Sequence, residues 1–97
     1  MITYYHGTKN STDVLNAIIG AGKLRTGFHL TPDPVVAANY GRVVVVELEE
    51  DLTKAHVGTI NKEGNHNAAV GTGIEVVLKD EAAINEFYYN LSDAYFH

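Results

Sequence analysis

Three polar side chains stand in otherwise apolar, strand-like stretches: His6 in YYHGT, His29 in FHLT and Glu75 in GIEVVL. A carboxylate set among isoleucine and valine costs free energy unless it is hydrogen-bonded or lies at the mouth of a cleft. Glu75 is therefore either a paired group or a working one. Two histidines and a carboxylate are also donor types that suit iron or another divalent metal. Their spacing is a loose match to such sites, and no metal is expected. Taken singly, each residue has a plain reading: a strand histidine is most often a structural hydrogen-bonder, and a strand glutamate usually points outward. Tyr40, eleven residues after His29, would alone be read as the core-facing end of a helix. No GxGxxG, Walker, HExxH, GxSxG or EF-hand pattern occurs. The chain has no cysteine, which removes disulfides, thiolate chemistry and zinc ribbons.

The elements that must position these groups can be read along the chain. ITYYHG is a strand by its β-branched and aromatic content. STDVLNAIIGAG is a helix, with Ser11 or Thr12 as cap, Val14, Leu15, Ile18 and Ile19 as its apolar stripe, and Gly20 and Gly22 as its end. TGFHLT is a second strand. Thr31 or Asp33 can then cap a helix with a proline in its first turn, running to about Tyr40 and stopped by Gly41. RVVVVELE is a strand whose continuous valines imply burial on both faces. KAHVGTI is a further strand. NKEGNHNAAVGTG is a polar loop, long for so small a domain, and such loops are more often functional than not. GIEVVLK is a strand, DEAAI a helical turn capped by Asp80, and NEFYYNL a closing strand or extended tail. Strands and helices mix without regular alternation, which predicts an α+β fold. At least one of Tyr4 and Tyr5 belongs to its core.

Ninety-seven residues make one domain, 1–97, and a 45% apolar content is enough for a packed core. The net charge of −5, with no local Lys/Arg cluster, argues against nucleic-acid binding by phosphate neutralisation. The acids of ELEED read as a solvated strand end and turn, with a surface for a basic partner as the lesser alternative. The N-terminal residues MITYYHGTKN do not read as a signal peptide, and a four-residue apolar run such as Val43 to Val46 is far too short to cross a bilayer. A cytoplasmic protein without membrane contact is expected. His56, His66 and His97 carry no assigned role, and His66 reads as a surface residue of the polar loop.

Three blocks together resemble the ADP-ribosyltransferase superfamily, in the branch shared by diphtheria-type toxins and poly(ADP-ribose) polymerases. YYHGT is similar to the family's opening strand, which ends in a His-Gly pair and a small hydroxyl residue. TGFHLTPDPVVAANYG is similar to its second block, an aromatic-rich strand followed by a helix that ends in a tyrosine. GIEVVLKD is similar to the late strand that carries the catalytic glutamate. The blocks make up about a third of the chain, and their order spans nearly all of it.

The resemblance implies split mixed β-sheets with two or three short helices, and NAD as substrate. It implies cleavage of the nicotinamide–ribose bond and transfer of ADP-ribose to an acceptor, expected to be a protein. Glu75 would be the catalytic carboxylate, opposing the positive charge of an oxocarbenium-like transition state. His6 would hydrogen-bond the adenosine ribose. Gly7 would present its main chain to the nicotinamide carboxamide, Thr8 would add a hydroxyl contact, and Tyr40 would stack on the ring. His29 falls at the middle position of the family's triad, where a tyrosine is usual, and offers a flat face and a hydrogen bond. Ala37 replaces a hydroxyl residue that many polymerase-like members place three before the stacking tyrosine. Gly73, two before Glu75, lacks the acid or amide found in arginine-modifying members. A chain of this kind suits a phage or bacterial effector. The alternative is a catalytically inactive fold of the same type, used as a small acidic binding or inhibitory protein.

Overall fold

The computed structural model describes residues 1–20, 24–65 and 73–97. Its elements follow in the order β1 (Ile2–Thr8), α1 (Ser11–Ile19), β2 (Phe28–Leu30), α2 (Pro34–Ala38), β3 (Arg42–Leu48), β4 (His56–Ile60), β5 (Gly73–Leu78), α3 (Glu81–Asn90) and β6 (Leu91–Phe96). Among the described residues they form an α+β fold of two three-stranded sheets and three helices. One sheet has the order β1-β3-β6 and the other β2-β5-β4. The expectation of mixed sheets is corrected, because every pairing is antiparallel. The connectivity explains it. Each strand–helix–strand passage carries the chain from one sheet to the other, so none creates the crossover between neighbours that a parallel pair requires.

The central position of β3 accounts for its sequence. Val43 to Val46 are all buried, since this strand has a partner on each edge and helices packed against it. Tyr4 is the core tyrosine of the first strand, and its hydroxyl donates to Asp51 Oδ1 at 2.7 Å. Burial, reinforced by that carboxylate, pushes the Tyr4 phenol well above its ordinary range. One acid of the ELEED segment is thus an internal partner.

Helix α1 is preceded by Asn10 at its N-cap, with no side-chain capping bond, so neither Ser11 nor Thr12 caps it. Ile18 is buried, Val14 and Leu15 pack at the core margin, and Ile19 is exposed. Asp33 caps α2 by accepting from the Val35 N–H, with Pro34 in the first turn. The helix stops at Ala38, two residues short of the expected end. Gly41 makes the turn into β3 at φ +134°, and a side chain there would meet the Thr8 carbonyl at 2.7 Å.

The largest difference from expectation is at the C-terminal end. NEFYYNL is not a strand or tail: α3 runs on to Asn90, and a separate strand β6 follows. Asp80 does cap the helix, accepting from the Ala83 N–H. Phe87 and the two tyrosines favour strands by type, but Ala83, Ile84 and Phe87 fall on one helical face and bury together. Burial decides the outcome over local preference. No helix among the described residues is long and apolar enough to cross a membrane.

Phe87 is fully buried in the core cluster with Leu48, Leu78 and Ile84. Replacing Phe87 with Ala is expected to destabilise the fold by about 3–5 kcal/mol. Urea unfolding followed by circular dichroism reads this directly; a loss below 1 kcal/mol would contradict the assignment of α3 to the core.

Candidate functional site

The two sheets meet at one isolated antiparallel bridge between Tyr5 and Thr31, where each N–H donates to the other's carbonyl, at 2.7 and 3.0 Å. Successive residues of a strand turn their main-chain groups to opposite edges. Because Tyr5 faces Thr31, Gly7 also turns its N–H and C=O away from β3, toward the gap between the sheets. The Val43 carbonyl is consistent with this, accepting from the His97 N–H on the far side of β3.

A pocket of about 260 Å³ opens in that gap. His6, Gly7, His29, Tyr40 and Glu75 all line it, although they come from four different elements or their ends. Thr8 is not among the lining residues. Its hydroxyl accepts from the Asn10 N–H at 3.1 Å, shaping the turn into α1. Gly7 is explained in a second way besides close approach to a ligand. A Cβ there would lie 1.6 Å from the Ala37 carbonyl oxygen, so the missing side chain lets α2 pack onto β1. Ala37 itself is buried in the pocket wall.

The polar groups are joined across the split. His6 Nδ1–H donates to the His29 carbonyl at 2.5 Å, and the His6 ring stacks on Phe28 with centroids 4.1 Å apart and planes at 21°. The bond assigns the proton to Nδ1 and leaves Nε2 as the acceptor of the neutral ring. Burial lowers the His6 pKa below its ordinary value, against the smaller opposing effect of the carbonyl. His29 Nδ1 lies 2.5 Å from Glu75 Oε1. Its side chain is 52% exposed and that of Glu75 only 9%. Register explains the meeting: Val77 pairs with His29, so Glu75 is its diagonal neighbour on the same face of the sheet. Opposite Glu75 on β4 stands Gly58, which adds no side chain.

Tyr40 is 42% exposed and lies just beyond α2 rather than in the core. Its hydroxyl donates to the Gly64 carbonyl. Partial burial raises its pKa, and the nearby Glu75 charge raises it further. The neighbouring Asn39 amide donates to the Lys62 carbonyl at 2.7 Å. These contacts hold residues 61–65, a turn organised by the Asn61 side chain accepting from the Glu63 and Asn65 N–H groups. The rest of the expected polar loop, with His66, lies outside the described residues.

Sequence reasoning missed the apolar walls, among them Leu30, Val36 and Ile60, and the working role of Thr31. Thr31 is buried, donates through Oγ1 to the Ile74 carbonyl at 3.1 Å and accepts from the Asp33 N–H at 3.2 Å. It thereby ties the strand of Glu75 to the start of α2. The hydroxyl residue just before PDP was its only signal. Among the described residues, no cluster of three metal-ligating side chains occurs.

Compared with known proteins, the chain matches no family model, no curated protein and no solved structure.

Two outcomes follow from the site's packing. Gly7→Ala forces α2 away from β1, and an overpacked contact of this kind costs about 1–3 kcal/mol; a Tm equal to that of the wild type would contradict the close approach. His6, whose folded pKa is depressed, binds fewer protons folded than unfolded. Its contribution to stability is full above the ordinary imidazole pKa and is lost as pH falls through the folded value. Titration by NMR should therefore show the His6 ring protonating below the ordinary imidazole value, and a midpoint at or above that value would overturn the assignment.

Proposed function

We propose that the chain is a minimal NAD-dependent mono-ADP-ribosyltransferase of the split-sheet type, cleaving the nicotinamide–ribose bond and transferring ADP-ribose to an acceptor. One observation carries the reading. Residues singled out in three separate sequence blocks, His6 and Gly7, His29 and Tyr40, and Glu75, line one pocket at the sheet split.

The pocket's size supports binding of one end of the substrate. At about 260 Å³ it lies just below the roughly 300–1,000 Å³ of sites that enclose a drug-sized ligand. It suits the nicotinamide ring and its ribose, with the remainder of the dinucleotide lying outside. The outward main-chain groups of Gly7 form a donor–acceptor pair of the kind a carboxamide satisfies. Tyr40 offers an aromatic face for the ring. His6, neutral and donating through Nδ1, has Nε2 as an acceptor for a ribose hydroxyl.

Glu75 supplies the chemistry. As the bond to nicotinamide breaks, positive charge develops on the ribose, and a largely buried carboxylate beside it is worth more than one in water. The charge interacts most strongly in the transition state, so it accelerates cleavage rather than only tightening binding.

Nicotinamide release from NAD, followed by chromatography, tests the reading. The wild type should release nicotinamide, and Glu75→Gln should lower the rate by about 10²–10³-fold or more. Absence of both release and calorimetric binding of NAD would overturn this reading and leave the inactive binding protein, whereas tight NAD binding would count heavily against that alternative.

A further inference from the structure

We infer that the acceptor reaches the ribose across Gly58, on the far side of Glu75 from the nicotinamide, and that it is a group of side-chain size rather than water. This rests on the NAD reading of the same pocket.

Gly58 is a glycine that the fold does not require. Gly7 is forced by the Ala37 carbonyl and Gly41 by its positive φ, but Gly58 lies in strand β4 with neither constraint. A Cβ built there meets no described atom within 4 Å. β4 pairs with β5 without a register shift, so no bulge accounts for it either. Glycine inside a strand costs about 0.5–1 kcal/mol relative to alanine. Where neither a bulge nor packing demands it, it marks a close approach of a ligand to the main chain. The register gives the place: Gly58 stands directly opposite Glu75, on the same face of the sheet. Its neighbours on that face are Ile60, buried in the pocket wall, and the exposed His56. The missing side chain leaves a gap between them, beside the carboxylate.

Topology puts the gap on the side an acceptor needs. The strands follow as β1, β2, β5 and β4, joined by the Tyr5–Thr31 bridge and the pairings of the second sheet. Gly7 on β1, which would hold the carboxamide, lies to one side of Glu75, and Gly58 on β4 lies to the other. The departing nicotinamide fills the first side, so the incoming group uses the second. β4 is the last strand of its sheet among the described residues, so no further strand of that sheet closes the gap. Water needs no opening of this size, whereas a group with the bulk of an amino-acid side chain does.

Partition between acceptors tests the route. Wild type, Gly58→Ala, Gly58→Val and Val57→Leu are incubated with NAD in buffer containing methanol or 1-propanol. Nicotinamide, ADP-ribose and the alkyl ADP-ribose products are quantified by chromatography. In each reaction the C1′–N bond breaks and nicotinamide leaves with the electron pair. Water or the alcohol then bonds to C1′ through oxygen and gives its proton to solvent. Valine suits a strand, so Gly58→Val should fold with a Tm no lower than wild type. Wild type should form both alkyl products. Gly58→Val should lower the ratio of propyl product to ADP-ribose by about fivefold or more, with a smaller loss for methanol. Val57→Leu, on the opposite face of β4, should leave both ratios unchanged. A propyl ratio that falls no more than the methyl ratio, the same fall in Val57→Leu, or ADP-ribose as the sole wild-type product would overturn the acceptor route. Loss of nicotinamide release in both Gly58 variants would also overturn it, since the glycine would then lie beneath the ribose. Each of these leaves the NAD reading standing, whereas no release from wild type would remove both.

Discussion

The paired hydrogen bonds between Tyr5 and Thr31 set the architecture of the site. Among the described residues this bridge is where the main chains of the two sheets pair, and beyond it those main chains part. Had the strands stayed paired past Tyr5, the main chain of Gly7 would be consumed by a ladder and the pocket would be closed. The bridge also fixes which groups face the gap, because strand alternation from Tyr5 leaves no choice for Gly7. Thr31 extends its effect through its side chain, holding Ile74 beside Glu75 and the start of α2 together.

Around this split the polar chain runs from His6 to His29 to Glu75. A carboxylate buried in a valine-rich strand is costly when unpaired, and the imidazole at 2.5 Å offsets that cost. The same contact fixes the orientation of the imidazole in the pocket wall. His6 is kept neutral by burial while its Nδ1–H is committed to the His29 carbonyl. Residues 61–65 are fastened by Asn39 and Tyr40, so the end of α2 both walls the pocket and anchors the turn that borders it.

Much of this was legible in the sequence, for identifiable reasons. The four valines of β3, the Asp33 and Asp80 caps and the polar interruptions at His6, His29 and Glu75 are local signals, and local physics produced them. What failed was non-local. The α3 helix hides its apolar face among tyrosines that favour strands, and only packing against the core decides in its favour. The antiparallel order could not be read because it depends on helices that switch sheets. Thr8 is adjacent in sequence to the pocket but turns its hydroxyl to α1. The need for Gly7 comes partly from Ala37, thirty residues away, and no local pattern signals such a contact.

The central claim is that the gap between the sheets binds the nicotinamide end of NAD. The most direct measurement is an NMR titration of the labelled protein with NAD. Saturable shifts of the Gly7 amide and of the His6, His29 and Tyr40 rings are expected, with Tyr89 and Glu50, which line a separate surface groove, unmoved. Absence of saturable shifts at Gly7 and Tyr40, or shifts centred on that groove, would contradict it.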